Sequence, residues 1–427
     1  MGAGWIKRDA AVVWHGFTQM SAFASNEPVI VDRAEGRELI DVHGRRYLDA
    51  ISSLWVNTLG HRVPELDAAL EAQLERVAHS TLLGNGNRIV VELAEALAGI
   101  VTVPSPHFLF ASDGASAVEQ ALKIAFQYWI NTGVPGKTSY LSFGGAYHGD
   151  TIGCLSVGAG GFGSDIFDPL RFPVVRAPGF EDPGCFEAAA ALIEKHSDEL
   201  AAVVVEPLVQ GAAGMRMAPG DSFGVVAEAC RDAGVLLICD EIATGFGRTG
   251  TMFASEQCGL EPDLLCLGKA LAGGYLPIAA TAASGAVYGA FLGDDLGPRT
   301  LYHGHSFQGN ALAAAVALRH LRLLAEREVL ANVRDRSAEL AKLLDERVAG
   351  LSTVAGVRLH GLMGGVELST GSLGARRVAA GAVRRGVLLR SLGDVVTLVP
   401  PLSVTGQEIH RIVEALEEAI RESEAGA

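Results

Sequence analysis

Paired cysteines are missing from this chain. Its six, Cys154, Cys185, Cys230, Cys239, Cys258 and Cys266, show no C-x-x-C and no paired spacing. That argues against a disulfide scaffold or a cysteine zinc site and suits a thiol-containing cytoplasmic protein. Long apolar runs are missing too. None approaches the ~18 residues of a membrane span. The start of the chain, with Lys7, Arg8 and Asp9, lacks the apolar core of a signal peptide. A soluble protein is expected. No long block of like charge occurs, since the net charge of -15 is spread along the sequence. That distribution argues against nucleic acid and anionic membranes as partners. His303 and His305 have no further ligands clustered with them, so no metal site is expected. Internal repeats, low-complexity tracts and long linkers are absent. Lysine is scarce: Lys7, Lys123, Lys137, Lys195, Lys269 and Lys342 are the full set.

With 49% apolar and 19% charged residues among 427, the chain can bury a large core. Two apolar runs between Gly234 and Gly274 each close on a reactive side chain. Val235-Leu236-Leu237-Ile238-Cys239 runs into Asp240-Glu241, and Leu264-Leu265-Cys266-Leu267 runs into Gly268-Lys269. Short continuous runs of this kind read as buried parallel strands. Ligands in open α/β sheets sit just beyond the carboxyl ends of such strands. An amine and a carboxylate at neighbouring strand ends suit a lysine Schiff base to pyridoxal phosphate. There the carboxylate keeps the pyridine nitrogen protonated. A buried Lys269–Asp240 ion pair explains the same two runs equally well.

Residues 1 to 64 read as an antiparallel meander, with strands over Pro28–Val31 and Glu38–Val42 flanking Glu35-Gly36. Trp14, Phe17, Leu54 and Trp55 fall in its connecting segments, where aromatics usually serve packing. From residue 65 the pattern is α/β. A helix over Leu66–Val77 precedes a strand over Phe108–Ala111. Ser112-Asp113-Gly114-Ala115-Ser116 then opens a second helix. That strand, turn and helix start favour a phosphate, although many βα turns look the same. After a strand over Ser139–Phe143, Tyr147 sits in a glycine-rich loop where an aromatic could lie on a cofactor ring. Ala201 to Glu206 is a further buried strand ending in an acid. Gly245 to Gly250 matches G-x-G-x-x-G in letters. It neither follows a strand directly nor opens a clear helix, so a dinucleotide site is rejected. Ile278–Ala283 reads as the last strand of the sheet, and Ala311 begins a long helix. Beyond Asn332 a small α+β domain is expected. In it Arg390 is either a fork for a carboxylate or one of many surface arginines. The division expected is an N-terminal segment, 1–64, belonging to a small domain, a large cofactor-binding domain, 65–305, and a C-terminal small domain, 306–427.

Together these segments resemble the class III (ω-) aminotransferases of the fold-type I pyridoxal phosphate enzymes, from Trp14 to the C-terminal helix. The runs DEIATGFGRTG (Asp240–Gly250) and LGKALAGG (Leu267–Gly274) are the most specific. FQYW (Phe126–Trp129), YHGDT (Tyr147–Thr151), EPLVQGAAGMRM (Glu206–Met217) and HGHSFQGN (His303–Asn310) support them. These pieces are most similar to the biotin-synthesis branch, which aminates 8-amino-7-oxononanoate.

The resemblance implies pyridoxal 5'-phosphate as cofactor. Lys269 would then be the Schiff-base lysine and proton shuttle, Asp240 the partner of the pyridine nitrogen, and Tyr147 the ring-stacking residue. Gly114 and Ala115 would bind the phosphate, helped by Ser306 from the other subunit, with His148 and Glu206 also at the cofactor. Phe17, Leu54, Trp55, Gly304 and Arg390 would face the substrate, Arg390 holding its carboxylate. A homodimer with sites at the interface follows from the same likeness. Two departures stand out. Many members carry WHPYT and SSWW where this chain has Trp14-His15-Gly16-Phe17-Thr18 and Ser52-Ser53-Leu54-Trp55. A phenol lost removes a hydrogen bond, and an indole replaced by leucine removes a stacking surface. The pattern SSLWVN with AHSTLLG is more like a branch that uses lysine, so L-lysine is expected as donor in place of adenosylmethionine. The alternative is an ω-amino acid–pyruvate or diamine aminotransferase.

Overall fold

The computed structural model describes residues 2–161 and 163–425. The chain enters through helices Gly2–Val12 and Met20–Phe23 and then forms an antiparallel meander. Its strands are β1 (Val31–Glu35), β2 (Glu38–Asp41) and β3 (Arg46–Asp49). The helices correct the expectation of strands and turns alone. The first strand also starts where the Pro28–Val31 run ends. Pairing explains this: the turn at Gly36 sets Glu35 opposite Glu38, and β1 extends back from there along β2.

The centre of the fold is a seven-stranded sheet. Its members are β4 (His107–Ala111), β5 (Ser139–Phe143), β6 (Val175–Ala177) and β7 (Leu200–Val205). After a short hairpin, β8 (Val209–Gln210) and β9 (Arg216–Met217), the sheet continues. It adds β10 (Leu236–Asp240), β11 (Leu264–Leu267) and β12 (Ala279–Ala283). The spatial order is β4-β12-β11-β10-β7-β5-β6. All neighbours are parallel except those of β12, which runs antiparallel to both β4 and β11. So β12 is last in the chain but inserted within the sheet. β7, β10 and β11 are buried at every residue, because helices cover both faces, and for that reason their sequences are unbroken apolar runs. This is the α/β fold-type I architecture, with its mainly parallel central sheet.

The C-terminal part is an antiparallel sheet with two helices packed on it. The strands are β13 (Val354–His360), β14 (Met363–Leu368), β16 (Arg390–Leu392) and β17 (Val395–Leu398). The helices are Gly371–Arg384 and Gly406–Ala425. Just ahead of β16, the two-residue β15 (Val387–Leu388) pairs in parallel with β3 of the N-terminal meander. That one pairing joins the two ends of the chain in a single sheet.

The Gly245–Gly250 segment is a turn whose Arg248 is fully buried. Its guanidinium donates to the carbonyls of Pro400 (2.5 Å) and Asn57 (3.4 Å), stitching distant segments together. A second close approach involves Gly274, which follows Lys269 in the chain. It has φ +84°, and a Cβ there would lie 2.9 Å from the Cα of Asn57. Gly274→Ala should therefore destabilise the protein by about 1–3 kcal/mol through strain and clash. Urea unfolding of the variant measures that loss.

Candidate active site

Four neighbouring strands, β11, β10, β7 and β5, point their carboxyl ends the same way. Each delivers a group to that edge. Lys269 follows β11, Asp240 ends β10, Glu206 follows β7, and Tyr147 and His148 lie just past β5. Strand order alone thus sets an amine beside two carboxylates and an imidazole. They line one cavity of about 690 Å³.

Asp240 is held on both oxygens. One accepts the amide of Ile242 at 3.0 Å, and the other meets Nδ1 of His148 at 2.7 Å. Burial works against a charged His148, but the hydrogen bond and charge of Asp240 outweigh it and raise the imidazole pKa. Nε2 of His148 is buried and has no hydrogen-bond partner among the described residues. Glu206 accepts the amide of Tyr147 at 3.0 Å. Burial pushes its carboxyl up to about 7, with His148 pulling the other way. Lys269 is half-buried at the cavity, and desolvation lowers the pKa of its amine against the charges of Asp240 and Glu206. Lys269 itself has φ +39°, a strained position for a residue with a Cβ. Its Nζ lies 5.1 Å from the centre of the Trp55 ring.

The helix Gly114–Asn131 begins three residues after β4. Asp113 caps it, accepting the amide of Ser116 at 2.9 Å. The amides of Gly114 and Ala115 meet no acceptor among the described residues and open on the cavity. A Cβ at Gly114 would sit 2.8 Å from Ile242, so glycine is what lets the turn lie against the Asp240 strand end. The hydroxyl of Tyr147 donates to Asp150 at 3.0 Å, and burial, followed by the charge of Asp150, keeps that phenol protonated.

Phe17 and Leu54 line the cavity while remaining 64% and 46% exposed. Trp55 lies deeper. Its ring rests where a Cβ at Gly211 would be 2.8 Å away, so that glycine makes room for the indole. Arg390, on β16, opens on the same cavity, and no carboxylate among the described residues pairs with it. Gly304 and Ser306 are not brought there. Both are exposed. The carbonyl of Ser306 is 2.6 Å from His79 Nε2, and Gly304 lines a separate surface cavity with Lys123 and Tyr302. Sequence reading passed over Asp113, Asp150 and Gly211. Asp113 could have been found from its N-cap spacing to Ser116. The pairing of Gly211 with Trp55 leaves no local signal.

Glu206 carries a pH consequence. Its folded pKa lies above the ordinary 4.5, at about 7. Between those values the unfolded chain releases this proton more readily, so stability falls as pH rises through that window and is level above it. In cofactor-free protein the loss from this group is roughly 3 kcal/mol at most. Glu206→Gln should remove that slope. Urea unfolding at about pH 5 and about pH 7.5 tests this, and an unchanged slope would refute it.

Comparison with known proteins agrees with this geometry. The class III aminotransferase family model matches residues 20–420. An adenosylmethionine-8-amino-7-oxononanoate aminotransferase from Nitratidesulfovibrio vulgaris is 44% identical, covering 96% of this chain and 80% of that protein. The structure of the enzyme of that name from Methanocaldococcus jannaschii is similar with a TM-score of 0.95. It is 38% identical and covered to 99% in both chains. A PLP-bound amine transaminase from an uncultivated Pseudomonas species has a TM-score of 0.91 and 32% identity, covering 96% of this chain and 98% of its own. This chain belongs to the class III aminotransferases and is a pyridoxal 5'-phosphate-dependent enzyme.

Proposed function

We propose that this enzyme aminates 8-amino-7-oxononanoate to 7,8-diaminononanoate in biotin biosynthesis, with L-lysine as the amino donor. Arg390 in the Lys269 cavity, paired with no carboxylate among the described residues, carries this reading, because a monocarboxylate substrate needs one such cation in an otherwise acidic protein. Relatives named adenosylmethionine-8-amino-7-oxononanoate aminotransferase support the amination over nearly the whole chain, while their name carries the other donor. Phe17 and Leu54 at the cavity mouth offer neither a phenol hydrogen bond nor an indole stacking surface, which supports a donor other than adenosylmethionine.

The residues fit the cofactor. Lys269 would link it, Asp240 would face its ring nitrogen, and the Gly114 and Ala115 amides would take its phosphate at a helix N-terminus. Tyr147 would lie against the ring, with His148 and Glu206 behind. When bound, pyridoxal phosphate withdraws electrons from the substrate carbon and carries the amino group between substrates. The protein supplies the rest. Lys269 Nζ, whose charge desolvation disfavours, would accept the proton from the donor carbon and release it to the cofactor's aldehyde carbon. Asp240, braced by His148 and the Ile242 amide, stays fixed as a hydrogen-bond acceptor. Arg390 orients the carboxylate end of the substrate.

The small domain would comprise 1–64 and 306–427 around a large domain of 65–305, a division supported by the pairing of β15 with β3. A homodimer would bring Gly304 and Ser306 to the partner's site. The 67% and 62% exposure of Tyr302 and Phe307 in the same loop supports such a contact. A cytoplasmic location is part of the proposal. Among the described residues no helix is long and apolar enough to cross a membrane. A second reading, another ω-aminotransferase acting on amines or ω-amino acids, draws on the similarity to amine transaminases.

Two measurements follow. Lys269→Ala should abolish turnover, and Asp240→Asn should slow it by roughly 100-fold or more; retained activity in the first would overturn the assignment of Lys269. L-Lysine, and not adenosylmethionine, should bleach the cofactor's absorbance band when each is added to purified enzyme. Bleaching by adenosylmethionine alone would reverse the donor assignment, and bleaching by neither would favour the second reading.

A further inference from the structure

We propose that His320 is a positioning residue for Lys269, tying the turn that carries the reactive amine to the N-terminal segment beside it. His320 sits in the helix Ala311–Glu326 and is wholly buried. Its ring nitrogens meet two different segments. Nδ1 is 3.1 Å from the carbonyl of Leu271, and Nε2 is 2.7 Å from the hydroxyl of Thr58. A carbonyl can only accept, so Nδ1 carries the hydrogen and Nε2 accepts from Thr58. Burial lowers the imidazole pKa to about 4, which keeps this single neutral tautomer through the physiological range.

Both ends of the relay adjoin the reactive lysine. Leu271 lies in the 3-10 turn Lys269–Ala272 that the lysine begins. Thr58 closes the short segment that starts with Trp55, whose ring faces the Lys269 amine. The turn has to be held from outside. Lys269 is at φ +39°, and Gly273 and Gly274 follow at +61° and +84°. A Cβ at Gly273 would come within 3.0 Å of the imidazole Cδ2, so the ring lies directly on the turn's backbone. Helix, turn and N-terminal segment therefore meet at one side chain. A histidine serving only the core would need satisfied nitrogens. It would not need one of them aimed at the strained turn of the catalytic lysine.

Asparagine and glutamine at position 320 separate the two bonds. His320→Asn places an amide N–H where Nδ1 stood, keeping the donor to Leu271. His320→Gln places its amide near the Nε2 position, keeping Thr58 but leaving the Leu271 carbonyl without a donor. The readings on cofactor-loaded enzyme are kcat, KM and the pH midpoint of the cofactor absorbance band, which reports the surroundings of the Lys269 nitrogen. The thermal midpoint of the cofactor-free protein is the control for general stability. The glutamine variant should lose roughly 10–100-fold in kcat with KM little changed and should shift the band midpoint. The asparagine variant should recover most of the rate and the parental midpoint, with both variants melting at similar temperatures. Equal kcat and band midpoints in the two variants would overturn the proposal. So would losses that simply follow the thermal midpoint. The band midpoint needs no donor, so its failure is distinct from failure of the lysine-donor reading. If neither variant folds, Thr58→Val, which like the asparagine variant leaves the donor to Leu271 in place, should keep the parental band midpoint, and a moved midpoint there would refute the assignment of the role to that bond.

Discussion

A half-buried amine beside two carboxylates is the constraint on which the rest of this structure depends. Left alone, such a group would shed its proton or draw in solvent. Here four adjacent strand ends set Lys269, Asp240, Glu206 and His148 together, and burial with the neighbouring charges shifts the protonation of Lys269, Glu206 and His148. The sheet order is therefore a chemical device as much as a packing solution.

Around that centre the chain uses small residues for closeness and large ones for exclusion. Gly114 lets the phosphate-side turn reach Ile242, and Gly211 leaves room for the Trp55 indole. Buried Arg248 does the opposite work, spanning several segments with one long side chain capped by carbonyls. The strained backbone at Lys269 persists because its neighbours outnumber it. Local discomfort at the reactive residue is offset by ordinary packing elsewhere.

Much of this was legible in the sequence because it is local. The apolar runs ending at Asp240 and Lys269 are strands buried on both faces, and no periodicity was needed to see them. Their parallel pairing followed from the same pattern. The N-terminal helices were missed since Pro28-Val29-Ile30-Val31 looked like the stronger signal, whereas the Gly36 turn sets where pairing starts. The inserted antiparallel β12 could not be read, because strand direction depends on long-range order. Nor could the contact of His320 with Leu271 and Thr58, for which nothing local in the sequence distinguishes that histidine from any other on a helix. Gly304 and Ser306, expected at the site from the resemblance, stand apart from the cavity.

The pairing of β15 with β3 has a consequence for how the protein is made. The cavity draws on Phe17 near one end of the chain and on Arg390, two residues beyond β15, near the other. A ribosome emits the chain from its N-terminus at about 5–20 residues per second, and segments fold as they emerge. The central sheet can form during synthesis, but β3 waits for its parallel neighbour until every strand of that sheet has been made. A truncated nascent chain thus holds the reactive lysine without the cation and strand that complete its surroundings. The surroundings of Lys269 are therefore completed only after β15 and Arg390 have emerged.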